Sequence, residues 1–283
     1  MAAAEELLSA WLDAKELRPR PPRWTPSNTT ANAMLASIFT WWNLLDQQMQ
    51  FHDPVYRMSH GYMRELQLRR MLELVHGKHN ACYCEIGMNG GHSAVAMLQA
   101  NPTLHVHSFD IMRINYSWPI AQLLQSTFGE RFTLHPGNSR VTVPHAATGA
   151  MPGQCTTDTP GGRRALRCDV LFVDGEHTAQ GACIDTFHAR GLAASDNAIV
   201  VMDDVIAGSG PNMVLHEFMT MSRLTLLERY GPYSPSSRHS PCQRTSRYGD
   251  LCGGWGFIIA RYNQSGFLSP VRRCSEHACP RGC

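Results

Sequence analysis

The chain has 283 residues, 43% of them apolar, enough to bury one substantial core and within the range of a single large α/β domain with extensions. Its 25 lysines and arginines stand against 23 acids, so the formal charge of +2 offers no field to draw in a nucleic acid or an anionic membrane surface. Glu5 and Glu6 precede the first short apolar run, opposite to a secretory signal, and no apolar stretch approaches membrane-spanning length, so a soluble, cytoplasmic protein is expected.

In chain order, residues 4–17 predict a short helix (Leu7, Leu8, Trp11, Leu12), which the linker Arg18-Pro-Arg-Pro-Pro-Arg23 cannot continue. Residues 31–50 place Met34, Leu35, Ile38, Trp41, Trp42 and Leu45 close to a helical period, and residues 62–75 repeat the habit with Met63, Leu66, Leu72 and Val75. A tryptophan pair at this spacing reads first as core.

The most informative stretch follows, at residues 82–110. A short apolar strand ends at Glu85 and runs into Ile86-Gly87-Met88-Asn89-Gly90-Gly91-His92-Ser93-Ala94-Val95. The glycines let the backbone turn tightly and approach a ligand, and a helix over 93–100 turns its free N–H groups towards it. Asp110 closes the next strand, 104–109, where an acid accepts hydrogen bonds from two vicinal ribose hydroxyls. This arrangement implies a nucleoside-containing cofactor. A dinucleotide fingerprint needs Gly-x-Gly-x-x-Gly, and Gly87-Met88-Asn89 lacks its second glycine.

Glu85-x-Gly87-x-x-x-Gly91-x-Ser93 instead resembles the first motif of class I S-adenosylmethionine-dependent methyltransferases, closest to the small-molecule O-methyltransferases of the catechol type. The resemblance implies a doubly wound, mostly parallel seven-stranded sheet with an antiparallel last strand. Glu85, Gly87, Gly91, Ser93 and Asp110 would then hold S-adenosylmethionine. The helices before the first strand would pack beside the sheet, where Trp41, Trp42 and Tyr62 are candidates to line a pocket. Taken alone, a glycine turn is also compatible with a strand-to-helix connection that binds nothing.

A helix over 118–128 and a strand over 131–135 lead to Gly137-Asn138-Ser139, and this alternation argues for a parallel sheet with right-handed crossovers. The resemblance places Asn138 where the family touches the adenine ring. Residues 149–164 are rich in Gly, Pro and Thr and read as a surface insertion. Next, Cys168-Asp169-Val170-Leu171-Phe172-Val173-Asp174 reads as a strand buried on both faces with an acid at its carboxyl end, and 198–202 runs likewise into Asp203-Asp204. Three carboxylates at adjacent strand ends repel unless a cation or a donor network holds them. The plainer reading is that Asp204 caps a turn and Asp174 closes a loop.

The resemblance extends over residues 60–262. By motif position it makes Asp174, Asp203 and Asp204 the ligands of Mg2+ or Mn2+, which suit oxygen donors. It also puts His177 where the catechol type carries a catalytic lysine. An imidazole there, with an ordinary pKa near 6.5, is a candidate base for a substrate hydroxyl, and Glu176 is a lesser one.

Late in the chain, a helix over 213–222 and strands over 224–230 and 255–262 flank a long loop. Its Arg238, Arg244, Arg247, Tyr233 and Tyr248 are candidates to receive an acidic or sugar-like acceptor. Cys82, Cys84, Cys168 and Cys183 lie in or beside predicted core elements and read as buried thiols. Cys242 and Cys252 can pair if oxidised, and Cys274, His277, Cys279 and Cys283 have zinc-ligand chemistry without a standard zinc spacing. The domain reading is a helical extension and linker (1–59), the cofactor domain (60–262) and a Cys-rich tail (263–283). The functional expectation is metal-assisted methylation of a small-molecule hydroxyl, with no nucleic-acid or membrane partner and the oligomeric state open. The alternatives are an inactive regulatory protein of the same fold and, less favoured, a nicotinamide-dependent oxidoreductase.

Overall fold

The computed structural model describes residues 33–55, 63–149, 156–158, 164–231 and 255–263. The expected helix at 4–17, the Arg18 to Arg23 linker, Tyr62, the loop residues Arg238, Arg244, Arg247, Tyr233 and Tyr248, the Cys242–Cys252 pair and the Cys274 to Cys283 cluster lie outside them.

Two helices come first, α1 (Ala33–His52) and α2 (Glu65–Val75). The alternating body follows as β1 (Cys82–Ile86), α3 (His92–Ala100), β2 (His105–Asp110), α4 (Ser117–Phe128), β3 (Phe132–Pro136) and α5 (Ser139–Ala147). A small antiparallel pair follows, β4 (Thr156–Asp158) within the stretch expected to be an insertion and β5 (Arg164–Leu166) starting at its last residue. The chain continues through β6 (Val170–Val173), α6 (Ala179–Ala189), β7 (Ile199–Met202), α7 (Gly210–Thr220), β8 (Leu224–Tyr230) and β9 (Phe257–Tyr262).

Seven strands form one sheet in the order β3-β2-β1-β6-β7-β9-β8. The first five are mutually parallel, whereas β9 runs antiparallel to both β7 and β8. This is the expected doubly wound architecture. Its central strands are apolar on both faces because helices cover both: every residue of β1, β6 and β7 is buried. The order also reverses beside β1, which opens a crevice at the carboxyl ends of the strands, where ligands bind in such sheets.

Each sheet face has its own core. One packs α1 to α4 against Tyr83, Val106, Phe172, Val201 and Phe257. The other packs α5 to α7 against Cys84, Phe109, Leu171, Val200 and Ile258. Helix α1 belongs fully to the first core: Ile38, Trp42, Leu45 and Met49 are completely buried, each worth roughly 1.5–3 kcal/mol in transfer free energy. Trp42 is thus a core residue, and Trp41 packs on Phe128.

The expectation of four buried thiols is corrected at two positions. The chain entering β6 lies on the sheet face that Cys82 and Cys84 share, and Cys84 and Cys168 form a disulfide with their Cα atoms 5.9 Å apart. Cys82 and Cys183 stay outside it, with Cys82 Sγ 3.8 Å from Cys168 Sγ.

Candidate active site

The first half of the site is the turn from β1 into α3. Gly87 adopts a φ of 98°, and its N–H donates to the Phe109 carbonyl (2.8 Å). A Cβ at this position would stand 2.0 Å from the Asp174 carbonyl oxygen, so only glycine lets the β1 turn close against the end of β6. Gly91, with a φ of 74°, precedes α3 and supplies no side-chain cap, so the helix begins with backbone N–H groups facing the crevice.

Glu85 is completely buried beneath this turn. It accepts hydrogen bonds from Ser93 Oγ (2.6 Å), Ser108 Oγ (2.5 Å) and Tyr83 Oη (3.2 Å). Burial pushes its carboxyl up to about 7, against the pull of the two serines and Tyr83. Glu85 and Ser93 therefore support the turn from below.

Asp110 stands at the crevice at the end of β2. Its Oδ2 accepts from the Asn89 N–H (2.9 Å) and its Oδ1 from the Met112 N–H (2.7 Å), so the carboxylate is oriented by the glycine turn itself. Tyr116 donates to Asn89 Oδ1 and braces the same turn. Asn138 reaches this edge too, since Gly137 N–H donates to the Asp110 carbonyl (2.8 Å). Its Oδ1 caps α5 by accepting from Arg140 N–H (2.9 Å).

The second half lies at the ends of β6 and β7. Ligand atoms of Asp174, His177 and Asp204 lie within 4.8 Å of one another. The imidazole sits between two acids, Nε2 3.4 Å from Asp174 Oδ1 and Nδ1 3.1 Å from Asp204 Oδ2. Asp204 holds a left-handed φ of 51°, which turns the chain sharply after β7. Asp203 stands beside this trio, with Oδ1 accepting from the Asp204 N–H (2.8 Å).

Although 32% of the Asp174 side chain meets solvent, protein surrounds the rest. Burial pushes its carboxyl above the usual range and Asp204 adds to that, while the bond to His177 opposes it. Burial likewise lifts Asp203 well above the usual range, followed by repulsion from Asp174 and Asp204. His177 moves the other way. Its bond to Asp174, reinforced by the charges of Asp174, Asp204 and Asp203, outweighs burial and raises it to about 9. Without another cation in the cluster the ring is thus protonated at neutral pH, which departs from the ordinary value expected from sequence.

Two features escaped the sequence reading. Gln67 on α2 is completely buried and lies alongside Asp203, favouring its charged form. In addition, α1 is fastened to the start of α3: Trp42 Nε1 donates to the His92 carbonyl (2.8 Å), and Asp46 Oδ1 lies 3.1 Å from His92 Nε2. A buried acid among the apolar residues of α1 was the available signal for the second feature; nothing marked the first.

With this geometry in view, residues 84–205 match the family model described as a methyltransferase domain. No curated protein matches the chain in sequence. Among solved structures, the chain is similar to the O-methyltransferase TomG of Streptomyces achromogenes, bound to S-adenosylmethionine. Identity is 17% over 77% of this chain and 89% of that one, with a TM-score of 0.54. The O-methyltransferase of Bacillus cereus, in complex with S-adenosylhomocysteine, is similar at 13% identity over 91% and 97% of the two chains, with a TM-score of 0.52. Cofactor-bound Rv0187 from MTB is similar at 17% identity over 90% and 95%, with a TM-score of 0.53. Residues 84–205 are thus similar to a methyltransferase domain, and the sheet around them has the fold of these solved methyltransferases.

Proposed function

We propose that the protein transfers the methyl group of S-adenosylmethionine to a hydroxyl of a small molecule, with a divalent cation, Mg2+ or Mn2+, held by Asp174, Asp203 and Asp204. The observation that carries the reading is the gathering of Asp174 and Asp204 with His177 at one end of the sheet, with Asp203 next to them and within reach of their charge. Oxygen donors of this number suit either cation. Bound there, the cation would lower the pKa of an acceptor hydroxyl.

The chain's own residues account for the remainder. Gly87 and Gly91 shape the surface that meets the cofactor, Asp110 accepts from the ribose hydroxyls, and the Asn138 amide reaches the adenine edge. Glu85 and Ser93 contribute by fixing the turn. The sulfonium is already activated, so the protein's principal task is to align oxygen, methyl and sulfur. His177 takes the hydroxyl proton once its own proton has been lost. That loss becomes easier when a cation offsets the acids that raise its pKa. TomG, described as acting in tomaymycin synthesis, supports an acceptor of small-molecule size.

A second reading is favoured by the His177 position itself: the protonated ring bridges Asp174 and Asp204 and offsets one of their two charges, so that the pair is held without a metal. One experiment separates the two. Methyl transfer from labelled S-adenosylmethionine to a panel of phenols, glycosides and hydroxy acids is followed with and without a chelator. Loss of turnover on chelation, restored by Mn2+, is expected. Full turnover in the chelator would refute the metal-assisted reading in favour of the second, whereas cofactor binding with transfer to no hydroxyl would favour a regulatory protein of this fold.

A further inference from the structure

Gln67 occupies a place where an apolar side chain would be cheaper. It lies three residues after Arg64, the N-cap of α2, and three before Arg70, a spacing that puts its side chain on the helix face between them. Its neighbours show where that face points. The Arg64 guanidinium lies 4.7 Å from the centroid of the Trp255 ring, next to Gly256, whose carbonyl accepts from Val205 N–H (2.8 Å) just past the acid pair. Arg70 bonds Glu228 of β8 (2.7 Å). Between them, Gln67 is 0% exposed, and neither its Nε2 nor its Oε1 closes a hydrogen bond of normal geometry, although the amide lies near enough to Asp203 to favour its charged form. Buried polar atoms are nearly always satisfied, and a buried amide left open at both ends stands out beside a carboxylate cluster.

We propose that Gln67 is a positioning residue of the acid cluster. When the cluster is loaded, Nε2–H donates to the Asp203 carboxylate, and Oε1 accepts from a water held there. Both open ends of the amide are then used, and Asp203 is held in one orientation. The proposal rests on the cation reading above and adds to it an amide from a helix outside the β6 and β7 strand ends.

The test uses the full chain, with Mn2+ alone as probe, followed by the electron paramagnetic resonance signal of free Mn2+. Thermal midpoints are measured on the same samples. Gln67→Met keeps the length of the side chain and removes both polar ends, with Gln67→Leu as a second variant. Asp203→Asn reports on the cluster itself. Loss of a group that orients a ligand costs tenfold to a hundredfold in metal affinity, so Gln67→Met should bind Mn2+ at least about tenfold more weakly. Its midpoint without metal should hold or rise, because the two open polar atoms are gone.

Mn2+ affinity unchanged in both Gln67 variants but weakened in Asp203→Asn would overturn the role of Gln67 and leave the cation site standing. Affinity unchanged in all three would remove the cation site and this proposal with it. A lower midpoint in both Gln67 variants without metal would show that the amide serves the apo fold, which also overturns the proposal.

Discussion

Replacing Asp110 by Ala tests the cofactor assignment at its most exposed point. A carboxylate offers about four lone-pair positions. Two are taken by the Asn89 and Met112 N–H groups, leaving two on a fixed plane, the number that a vicinal diol requires. Hydrogen bonds to a charged acceptor contribute about 1.5–3 kcal/mol, and each 1.4 kcal/mol is tenfold in affinity, so the variant should bind S-adenosylhomocysteine roughly 10- to 150-fold more weakly. Calorimetric titration of the full chain measures this. The ligand's deoxy analogue, lacking one ribose hydroxyl, supplies the control: it should bind more weakly than the parent to the wild type but equally well to Asp110→Ala. Asn89, at a φ of 49°, also loses its anchor, so part of the deficit should appear as a lower thermal midpoint without ligand. Equal affinity of variant and wild type for the full ligand would remove Asp110 from the site, and tight NAD binding in place of the sulfur cofactor would overturn the assignment itself.

Four further outcomes follow from the geometry. His177→Ala should lower kcat by about a hundredfold or more, and the deficit should shrink as pH rises and the hydroxyl ionises unaided. In the wild type without metal the His177 ring should titrate near 9 by NMR and move lower on addition of Mg2+; a ring that ignores the cation would argue against a shared cluster. Glu85 is an acid whose folded pKa is raised, so the native state holds its proton longer: stability is greatest below about 4.5, falls as pH rises towards about 7, and is flat above. The gap corresponds to about 3 kcal/mol, and Glu85→Gln should remove most of that amount from the fall in stability between pH 5 and pH 8 in urea denaturation, leaving the share due to Asp174 and Asp203; an identical slope would mean that the carboxylate is charged throughout. Finally, the Cys84–Cys168 disulfide spans 84 residues of sequence, for which the chain-entropy estimate is about 4–5 kcal/mol. Dithiothreitol should lower the thermal midpoint of the wild type and leave a Cys84→Ser, Cys168→Ser variant unchanged.

The sheet was legible because its central strands are short apolar runs ending in chemistry: Glu85 before glycines, and Asp110, Asp174 and Asp203-Asp204 at strand ends. Buried strands require that pattern, and crevice residues sit at its edge. Helices α5 and α6 were not read. Pro144 lies inside α5, and the residues that α6 buries, Gly181, Ala182, Cys183, Ile184, Asp185, Thr186 and Ala189, are mostly small or polar and leave no apolar period. Their caps, Asn138 and Thr178, were the signals passed over. The protonation of His177 depends on Asp174 and Asp204, which end different strands, meeting one ring in space, and no spacing rule conveys that. Gln67 was hidden for the opposite reason, since a glutamine on an amphipathic helix ordinarily faces water.

The seam between α1 and α3 couples the first helix to the ligand. Met49 lies against Gly90, where a Cβ would meet its sulfur at 2.4 Å, and Trp42 and Asp46 hold His92 directly after the glycine turn. Any ligand that orders the turn therefore also stabilises the docking of α1. Occupancy at a hundred times Kd adds about 2.7 kcal/mol to whatever opening must break both. Protease resistance of residues 33–52 thus becomes a reporter of cofactor occupancy, readable in a crude extract by the size of the surviving fragment and without any knowledge of the methyl acceptor.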